Sequence, residues 1–238
     1  TLLITGILLL CCSKKSIQNS RKKNRGLIAE NAMVVSAKEE ASKIGLDIMK
    51  QGGNAFDAMV ATDLALLVTY PVAGNIGGGG FMVFRLADGT SGALDYREMA
   101  PISATKNMYL EQEGKVVSDN SKTGALAIGV PGTIAGLFEI HKKFGTISIE
   151  KLIQPAINLA NNGIVITEAQ AKRFSQHKFS FRKVNQKRIL YDQQWRAGDT
   201  IRNPLLAKTL ERIKTHGRDG FYKGKTADFI VNKVQNLG

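Results

Sequence analysis

One predicted helix constrains the fold of this sequence more than any other segment. It runs from Ala55 to about Tyr70, follows Asn54, a residue that favours the N-cap position, and stops before Pro71. Its side chains are apolar on nearly every side. A helix of this kind is buried on most of its faces, which predicts a helical layer packed on a β-sheet.

A run of glycines and two predicted strands follow this helix. The run GNIGGGGF occupies residues 74–81, and residues 81–87 and 90–96 are predicted to be strands joined by a two-residue turn at Asp88-Gly89. Phosphate-binding loops place their glycines before a helix, and here they precede a strand, so no nucleotide site is predicted. The glycines allow a tight entry into a sheet or a backbone that lines a substrate pocket, and the sequence leaves both open. The pocket candidates are Gly77, Gly78, Gly79 and Gly80.

Arg97 is the candidate ligand-binding side chain. It lies in the motif ALDYREMAP, residues 93–101, at the end of the second predicted strand. A guanidinium has planar donors that match both oxygens of a substrate carboxylate. The alternative is a structural arginine paired with Asp95 or Glu98. We expect Glu98 to orient the guanidinium or support the local structure, and we assign Asp95 no catalytic role.

The N-terminus is predicted to be an export signal. Residues 2–12 form an almost unbroken apolar run, which as a helix would span about 16 Å, too short for a bilayer. The run fits the apolar part of a signal peptide, and we expect the sequence to be part of a longer precursor. Leu-Leu-Cys-Cys at residues 9–12 resembles the lipobox of bacterial lipoproteins, in which Cys12 would be acylated. A simple secretory signal and a buried helix are the alternatives.

Residues 13–25 are predicted to be a solvated tether beside a membrane. They carry six basic residues and no acid, in a chain of formal net charge +13. Anionic lipid head groups attract such segments. Arg182, Lys183, Lys187 and Arg188 are interpreted as a solvated basic face. No RNA- or DNA-reading module is recognisable, so no nucleic-acid partner is expected.

No metal, cofactor or disulfide framework is expected. Cys11 and Cys12 are adjacent and are the chain's two cysteines, and the three histidines have no ligand spacing. The folded part is predicted to begin near Gly26, with a first helix from Ala37 to Gln51 behind a Ser36–Glu39 capping box. Further helices are predicted at about 133–143, 148–162 (with a kink or a break at Pro155), 167–178, 204–215 and 227–234.

Five segments together resemble the large-subunit half of γ-glutamyltransferases. They are residues 74–83, 93–101, 129–137, 202–210 and 220–231, and the resemblance covers residues 26–238. It implies an α+β fold, the four-layer αββα sandwich of N-terminal-nucleophile hydrolases, of which this chain would supply a part. It also implies a precursor that cleaves itself into a large and a small subunit.

The resemblance further implies a γ-glutamyl transfer mechanism. A threonine at the N-terminus of the small subunit attacks the γ-glutamyl amide with its own α-amine as base, and glutathione is the usual substrate. Arg97 matches the family's carboxylate-binding arginine. The nucleophile matches no residue here, so no catalytic residue is assigned and this part alone is expected to be inactive. Separately from the resemblance, the export signal and the lipobox-like cysteine predict a location in the periplasm or at the outer membrane of a bacterium.

Two other functions remain open at this point. A related N-terminal-nucleophile acylase or a polyglutamate depolymerase would share the framework but need a different pocket around Arg97. A non-enzymatic, lipid-anchored binding protein for small amino-acid-like ligands would need no nucleophile.

Overall fold

The computed structural model describes residues 26–111 and 113–237. Residues 34–237 belong to one compact unit, and residues 26–33 belong to another and contain no helix or strand. The predicted signal at residues 1–12, with Cys12, and the tether at residues 13–25 lie outside the described residues. None of the helices in the described ranges is long and apolar enough to cross a membrane.

The fold is helix-rich, with two small antiparallel sheets. In the described residues the elements are, in chain order, α1 Glu39–Lys50, α2 Ala55–Thr69, β1 Phe81–Arg85, β2 Ser91–Asp95, α3 Thr133–Phe144, α4 Ile149–Asn162, β3 Ile164–Val165, α5 Glu168–Asn185, β4 Thr200–Ile201, α6 Pro204–His216, α7 Asp219–Tyr222 and α8 Gly224–Gln235. Strand β1 pairs with β2, and β3 pairs with β4. The α+β class is therefore confirmed, although these residues alone do not form four layers.

Helix α2 is buried on several faces, as predicted, but its main packing partners are helices and not a sheet. It packs against α1, α3 and α4, and α4 packs in turn against α6. Its residues Val60, Leu64 and Leu67 are almost completely buried, together with Ile134 of α3 and Leu152 of α4. Burial on several faces explains why the helix needs apolar residues nearly all round.

The N-terminus of α2 is capped as predicted, and the cap also joins distant parts of the chain. Asn54 Oδ1 accepts hydrogen bonds from the backbone N–H groups of Phe56 and Asp57, and the Asp57 carboxylate accepts one from Asn54 N–H at 3.0 Å. Asp57 is fully buried and also accepts from Thr146 and Ile147, before α4. Burial opposes ionisation of Asp57, but these hydrogen bonds outweigh it and lower its pKa.

The β1–β2 hairpin has one packed face and one exposed face. Met82 is buried, and Phe84 contacts Phe56 of α2 and Phe144 of α3 with ring centroids 5.7 and 4.9 Å apart. On the other face Phe81 and Val83 are 64% and 83% exposed. The alternation follows from the two-residue period of a strand.

The predicted two-residue hairpin turn is wrong. Leu86 N–H donates to Thr90 O at 2.7 Å, so residues 87–89 form a three-residue loop. Gly89 has a φ of 88°, and Thr90 N–H donates to Asp88 Oδ1. A glycine with positive φ in the last loop position is typical of three-residue hairpins.

Three helix predictions also need correction. Ser36 does not cap α1, because its hydroxyl donates to Lys38 O, and the helix begins at Glu39 without a side-chain cap. Helix α5 continues past the predicted end at Lys178 to Asn185. Helix α4 contains Pro155 and is a single helix from Ile149 to Asn162, so the alternative of two shorter helices is wrong.

Candidate substrate-binding site

Arg97 lies immediately after β2 with its side chain largely in solvent. The side chain is 64% exposed, and Glu98 is its one ion-pair partner among the described residues, at the long Nε–Oε2 distance of 4.0 Å. Asp95 does not pair with the guanidinium. Its carboxylate instead accepts a hydrogen bond from the backbone N–H of Arg97 at 2.9 Å. The guanidinium carbon lies 5.7 Å from the centre of the Phe81 ring.

The glycine run packs closely against the segment that carries Arg97. A β-carbon on Gly79 would lie 2.5 Å from Tyr96 O and 2.7 Å from Arg97 Cα, and one on Gly80 would lie 2.8 Å from the Tyr96 ring. None of residues 77–80 has a positive φ, so the glycines serve close approach and not a special backbone conformation. Because Gly79 and Gly80 have no side chains, their backbone can pack directly against Tyr96 and Arg97 and restrict their positions.

Tyr96 is enclosed by glycines from two parts of the chain. A β-carbon on Gly136 would clash with the Tyr96 ring, and one on Gly132 would clash with Tyr96 O. Gly78 O accepts hydrogen bonds from Gly132 N–H at 2.8 Å and Thr133 N–H at 3.0 Å, at the start of α3. The glycine run, the end of β2 and the N-terminus of α3 therefore form one tightly packed unit.

The side chain of Glu98 packs against another segment of the chain, which indicates a structural role. A β-carbon on Gly129 would lie 2.8 Å from Glu98 Cβ, and Met99 N–H donates to Val130 O at 3.1 Å one residue later. The stem of Glu98 is thus held against the segment before α3. Because its carboxylate is only at the limit of ion-pair distance from Arg97, it leaves the guanidinium donors free for another anion.

An open groove of about 1010 Å³ extends from Arg97. Residues 94–99 form one part of its lining, and the rest comes from residues 130–132, from α3, and from Arg218 and Tyr222 at and within α7. The charged side chains around it are of both signs, since Glu139, Lys142 and Arg218 join Arg97 and Glu98. Such a lining suits a ligand that carries both a carboxylate and an ammonium group. None of Gly77, Gly78, Gly79 and Gly80 belongs to the described lining of this groove.

Tyr222 of α7 fixes one wall of the groove. Its hydroxyl donates to Pro131 O at 2.7 Å and accepts a hydrogen bond from Ala135 N–H at 3.2 Å. The guanidinium of Arg218 lies over its ring, 4.6 Å from the centroid. Burial raises the pKa of the Tyr222 hydroxyl, so it stays protonated and able to donate.

Asp63 is a carboxylate that the sequence analysis did not single out. It lies on α2, and burial raises its pKa to about 6. Burial, with a smaller contribution from the charge of Asp63, raises the pKa of Tyr96 to about 12. Asp57 belongs to the N-terminal cap, so Asp63 is the one acid in the interior of an otherwise largely apolar helix, and that is the sequence signal that could have revealed it.

Metal binding has no support in the described residues. No group of three or more His, Cys, Asp and Glu side chains that could hold an ion occurs in the described ranges. His141 of α3 is half-buried, and its Nε2 lies 2.7 Å from Ile147 O. This contact links α3 to the short connection between α3 and α4.

The family model and the curated relatives agree on one family. The family profile described as Gamma-glutamyltranspeptidase matches residues 41–238. A Glutathione hydrolase proenzyme from Pseudomonas sp. (strain A14) is 47% identical over 214 residues, which are 88% of this chain and 37% of that protein. The chain thus spans little more than a third of the length of this curated relative.

Solved structures give the same result for the fold. The gamma-glutamyltranspeptidase of Helicobacter pylori superposes with a TM-score of 0.84 at 43% identity, over 88% of this chain and 61% of that chain. The gamma-glutamyltranspeptidase of Pseudomonas nitroreducens, solved as a complex with L-DON, gives a TM-score of 0.82 at 42% identity, over 89% and 62% of the two chains.

Proposed function

Because this chain belongs to the Gamma-glutamyltranspeptidase family, we propose that the complete protein transfers or hydrolyses γ-glutamyl groups, with glutathione as a substrate. The observation that carries the proposal is the position of Arg97. Its backbone is held by Gly79 and Asp95, while its guanidinium is exposed and opens on the groove. The name of the Pseudomonas relative supports the choice of glutathione.

In this proposal Arg97 binds the α-carboxylate of the γ-glutamyl group. Two parallel N–H donors hold the carboxylate and orient the side-chain amide. A threonine in the part of the protein beyond this chain attacks that amide carbon, the C–N bond breaks, and the amine leaves with a proton. Water or the amine of an amino acid then displaces the threonine oxygen from the glutamyl ester. The fragment described here would bind substrate but break no bond.

We propose that the remainder of the large subunit, together with the small subunit released by self-cleavage, completes a four-layer sandwich. Within the described residues β1 and β2 each pair on one side only, and Phe81 and Val83 leave the outer face of the hairpin apolar. Unpaired edges and apolar sheet faces are normally covered in a complete fold. Additional strands and a second sheet would cover both.

Export and lipid anchoring belong to the same proposal. The apolar run and Cys12 fit a lipoprotein signal, and the basic residues at 13–25 fit a segment beside a membrane. Mass spectrometry of the mature N-terminus tests this directly. A diacylated peptide that begins at Cys12 is expected, and an unmodified peptide that begins elsewhere would contradict it.

Substitution of Arg97 tests the function. In the complete protein, Arg97→Ala should cost about 3–5 kcal/mol of substrate binding if the ion pair is desolvated, a loss of more than about a hundredfold in kcat/KM. Arg97→Lys should recover little, because an ammonium cannot form two parallel bonds. Arg85→Ala, at the other end of the same hairpin, is the matched control and should leave kcat/KM unchanged.

The measurement is steady-state hydrolysis of glutathione, with binding measured separately. Unchanged kinetics in Arg97→Ala would remove the proposed role of the arginine. Glutamate binding by the mature two-subunit protein without any turnover would instead favour the non-enzymatic binding protein.

A further inference from the structure

The excess positive charge of this chain is confined to two segments. Residues 13–25 contain six basic residues, residues 172–188 contain seven, and neither segment contains an acid. Together they account for the whole formal net charge of +13. Basic and acidic residues are balanced elsewhere, so the second segment, most of which lies in α5, is a distinct basic surface.

Helix α5 presents most of this charge to solvent. Phe174 is the one residue of the helix that is buried in the described structure. Lys172, Gln176, Phe179 and Lys183 follow at intervals of four, three and four residues, which places them on one stripe of the helix away from Phe174. All four are exposed.

The fold itself uses two of the seven charges. Arg182 Nε lies 3.2 Å from the fully buried carboxylate of Asp192, and Lys183 Nζ lies 2.8 Å from Asp119. The other five make no ion pair with the described residues. They are Lys172, Arg173, Lys178, Lys187 and Arg188. These charges are therefore available to an external partner.

Phe179 is an exposed aromatic ring in the middle of the basic stripe. It is 79% exposed and has no aromatic partner among the described residues. Lipid phosphates attract basic side chains to an anionic membrane surface, and an exposed aromatic ring beside those charges can enter the head-group region. The cysteine and basic residues of the N-terminal segment, which lie outside the described residues, independently indicate the same class of partner.

We propose that α5 and residues 186–188 form a docking surface for an anionic phospholipid bilayer. Lys172, Arg173, Lys187 and Arg188 contact lipid phosphates, and Phe179 inserts between head groups. This contact is separate from γ-glutamyl turnover. It would hold the folded part of the enzyme against the membrane surface.

Tryptophan quenching reports the contact locally. The complete protein carrying Phe179→Trp is mixed with vesicles of brominated phosphatidylglycerol and phosphatidylcholine. Bromine quenches an indole that enters the lipid, so the fluorescence should fall with these vesicles. It should fall less with vesicles of brominated phosphatidylcholine alone, which carry no net charge. It should recover in about 0.5 M NaCl, where screening is strong. Leu205→Trp on α6, at a site that is 74% exposed, is the matched control and should not respond.

Charge removal gives an independent measure. Each basic residue near an anionic surface contributes about fivefold to binding, or about 1 kcal/mol. Replacing Lys172, Arg173, Lys187 and Arg188 together by glutamine, in the Phe179→Trp background, should therefore weaken vesicle binding by roughly 600-fold if the four contributions add, and by no less than about tenfold if they overlap. The matched control removes four exposed lysines elsewhere and should change binding little. It replaces Lys50, Lys106, Lys122 and Lys208 by glutamine.

The outcomes are distinct. Quenching specific to position 179 and lost with the four α5 charges supports the proposal, and glutathione hydrolysis should be the same in every variant. No quenching at position 179, or equal weakening by the control set, overturns it. A response to duplex DNA or RNA with no response to vesicles would also overturn it and assign the surface to nucleic acid.

Discussion

Replacing Gly79 by alanine should displace the backbone that carries Arg97. The added β-carbon would lie 2.5 Å from Tyr96 O and 2.7 Å from Arg97 Cα, whereas ordinary contacts begin at 3.4 Å. The two segments must therefore separate by about 0.9 Å, the difference between these two distances. Gly79 has no positive φ, so alanine brings no backbone penalty and the effect is steric.

A shift of this size matters more for activity than for stability. A displacement of about 1 Å in a positioned group can cost about a hundredfold in rate, while overpacking typically costs about 1–3 kcal/mol of folding free energy. We expect kcat/KM for a chromogenic γ-glutamyl anilide to fall between about thirtyfold and a hundredfold, mainly through KM. Thermal unfolding of the same sample measures the cost to the fold.

Gly77→Ala is the matched control within the same glycine run. The nearest atom to its new β-carbon would be Asn75 Oδ1, at 3.3 Å and at the end of a movable side chain. It should keep nearly all of the activity. If Gly79→Ala lowers the unfolding temperature but keeps kcat/KM within about twofold of the control, the packing does not position Arg97 and the reasoning fails.

Two further predictions concern carboxylates of α2. Since burial raises the pKa of Asp63 to about 6, above the value near 3.9 of an unfolded chain, the folded protein binds the proton more tightly and loses stability as the pH rises through this interval. Urea unfolding should show that Asp63→Asn raises the free energy of unfolding by about 3 kcal/mol at pH 7.5 and by little at pH 4. The control Asp228→Asn, at an exposed position, should change the free energy of unfolding at neither pH. An equal effect of Asp63→Asn at the two pH values would contradict the prediction. Asp57 has a lowered pKa, so its contribution is complete above its unfolded value and is lost as the pH falls through the folded one. Asp57→Ala should cost about 3 kcal/mol at pH 7 in the same assay because Thr146 and Ile147 lose their acceptor, and an unchanged urea midpoint would show that the contacts add nothing.

Local signals predicted the fold well where one interaction dominated. Asn54 and Pro71 bracket α2 because a side-chain cap and a proline both act within a few residues of the helix end that they mark. The Ser36 prediction failed because a hydroxyl can bond a nearby carbonyl as readily as it caps a helix, and here it donates to Lys38 O. The hairpin loop was one residue longer than predicted because Asp88 accepts from Thr90 N–H and Gly89 takes the last loop position.

The candidate site was only half readable for a different reason. Arg97 was identified from its motif, and the structure places it on an open groove. The enclosure of Tyr96 depends on Gly132 and Gly136, which are about 40 residues away in sequence, at the start of α3. No local pattern reports which glycine meets which ring, so long-range packing had to come from the structure.

The bonds between Asp57 and the residues before α4 also bear on how this protein opens. Backbone amides in a connection between two helices ordinarily exchange their hydrogens with solvent quickly. The backbone N–H groups of Thr146 and Ile147 instead donate to the fully buried carboxylate of Asp57, which is 89 and 90 residues away from them in sequence. Their deuterium uptake should follow the release of the first turn of α2, so that this short connection behaves kinetically as part of the protein interior.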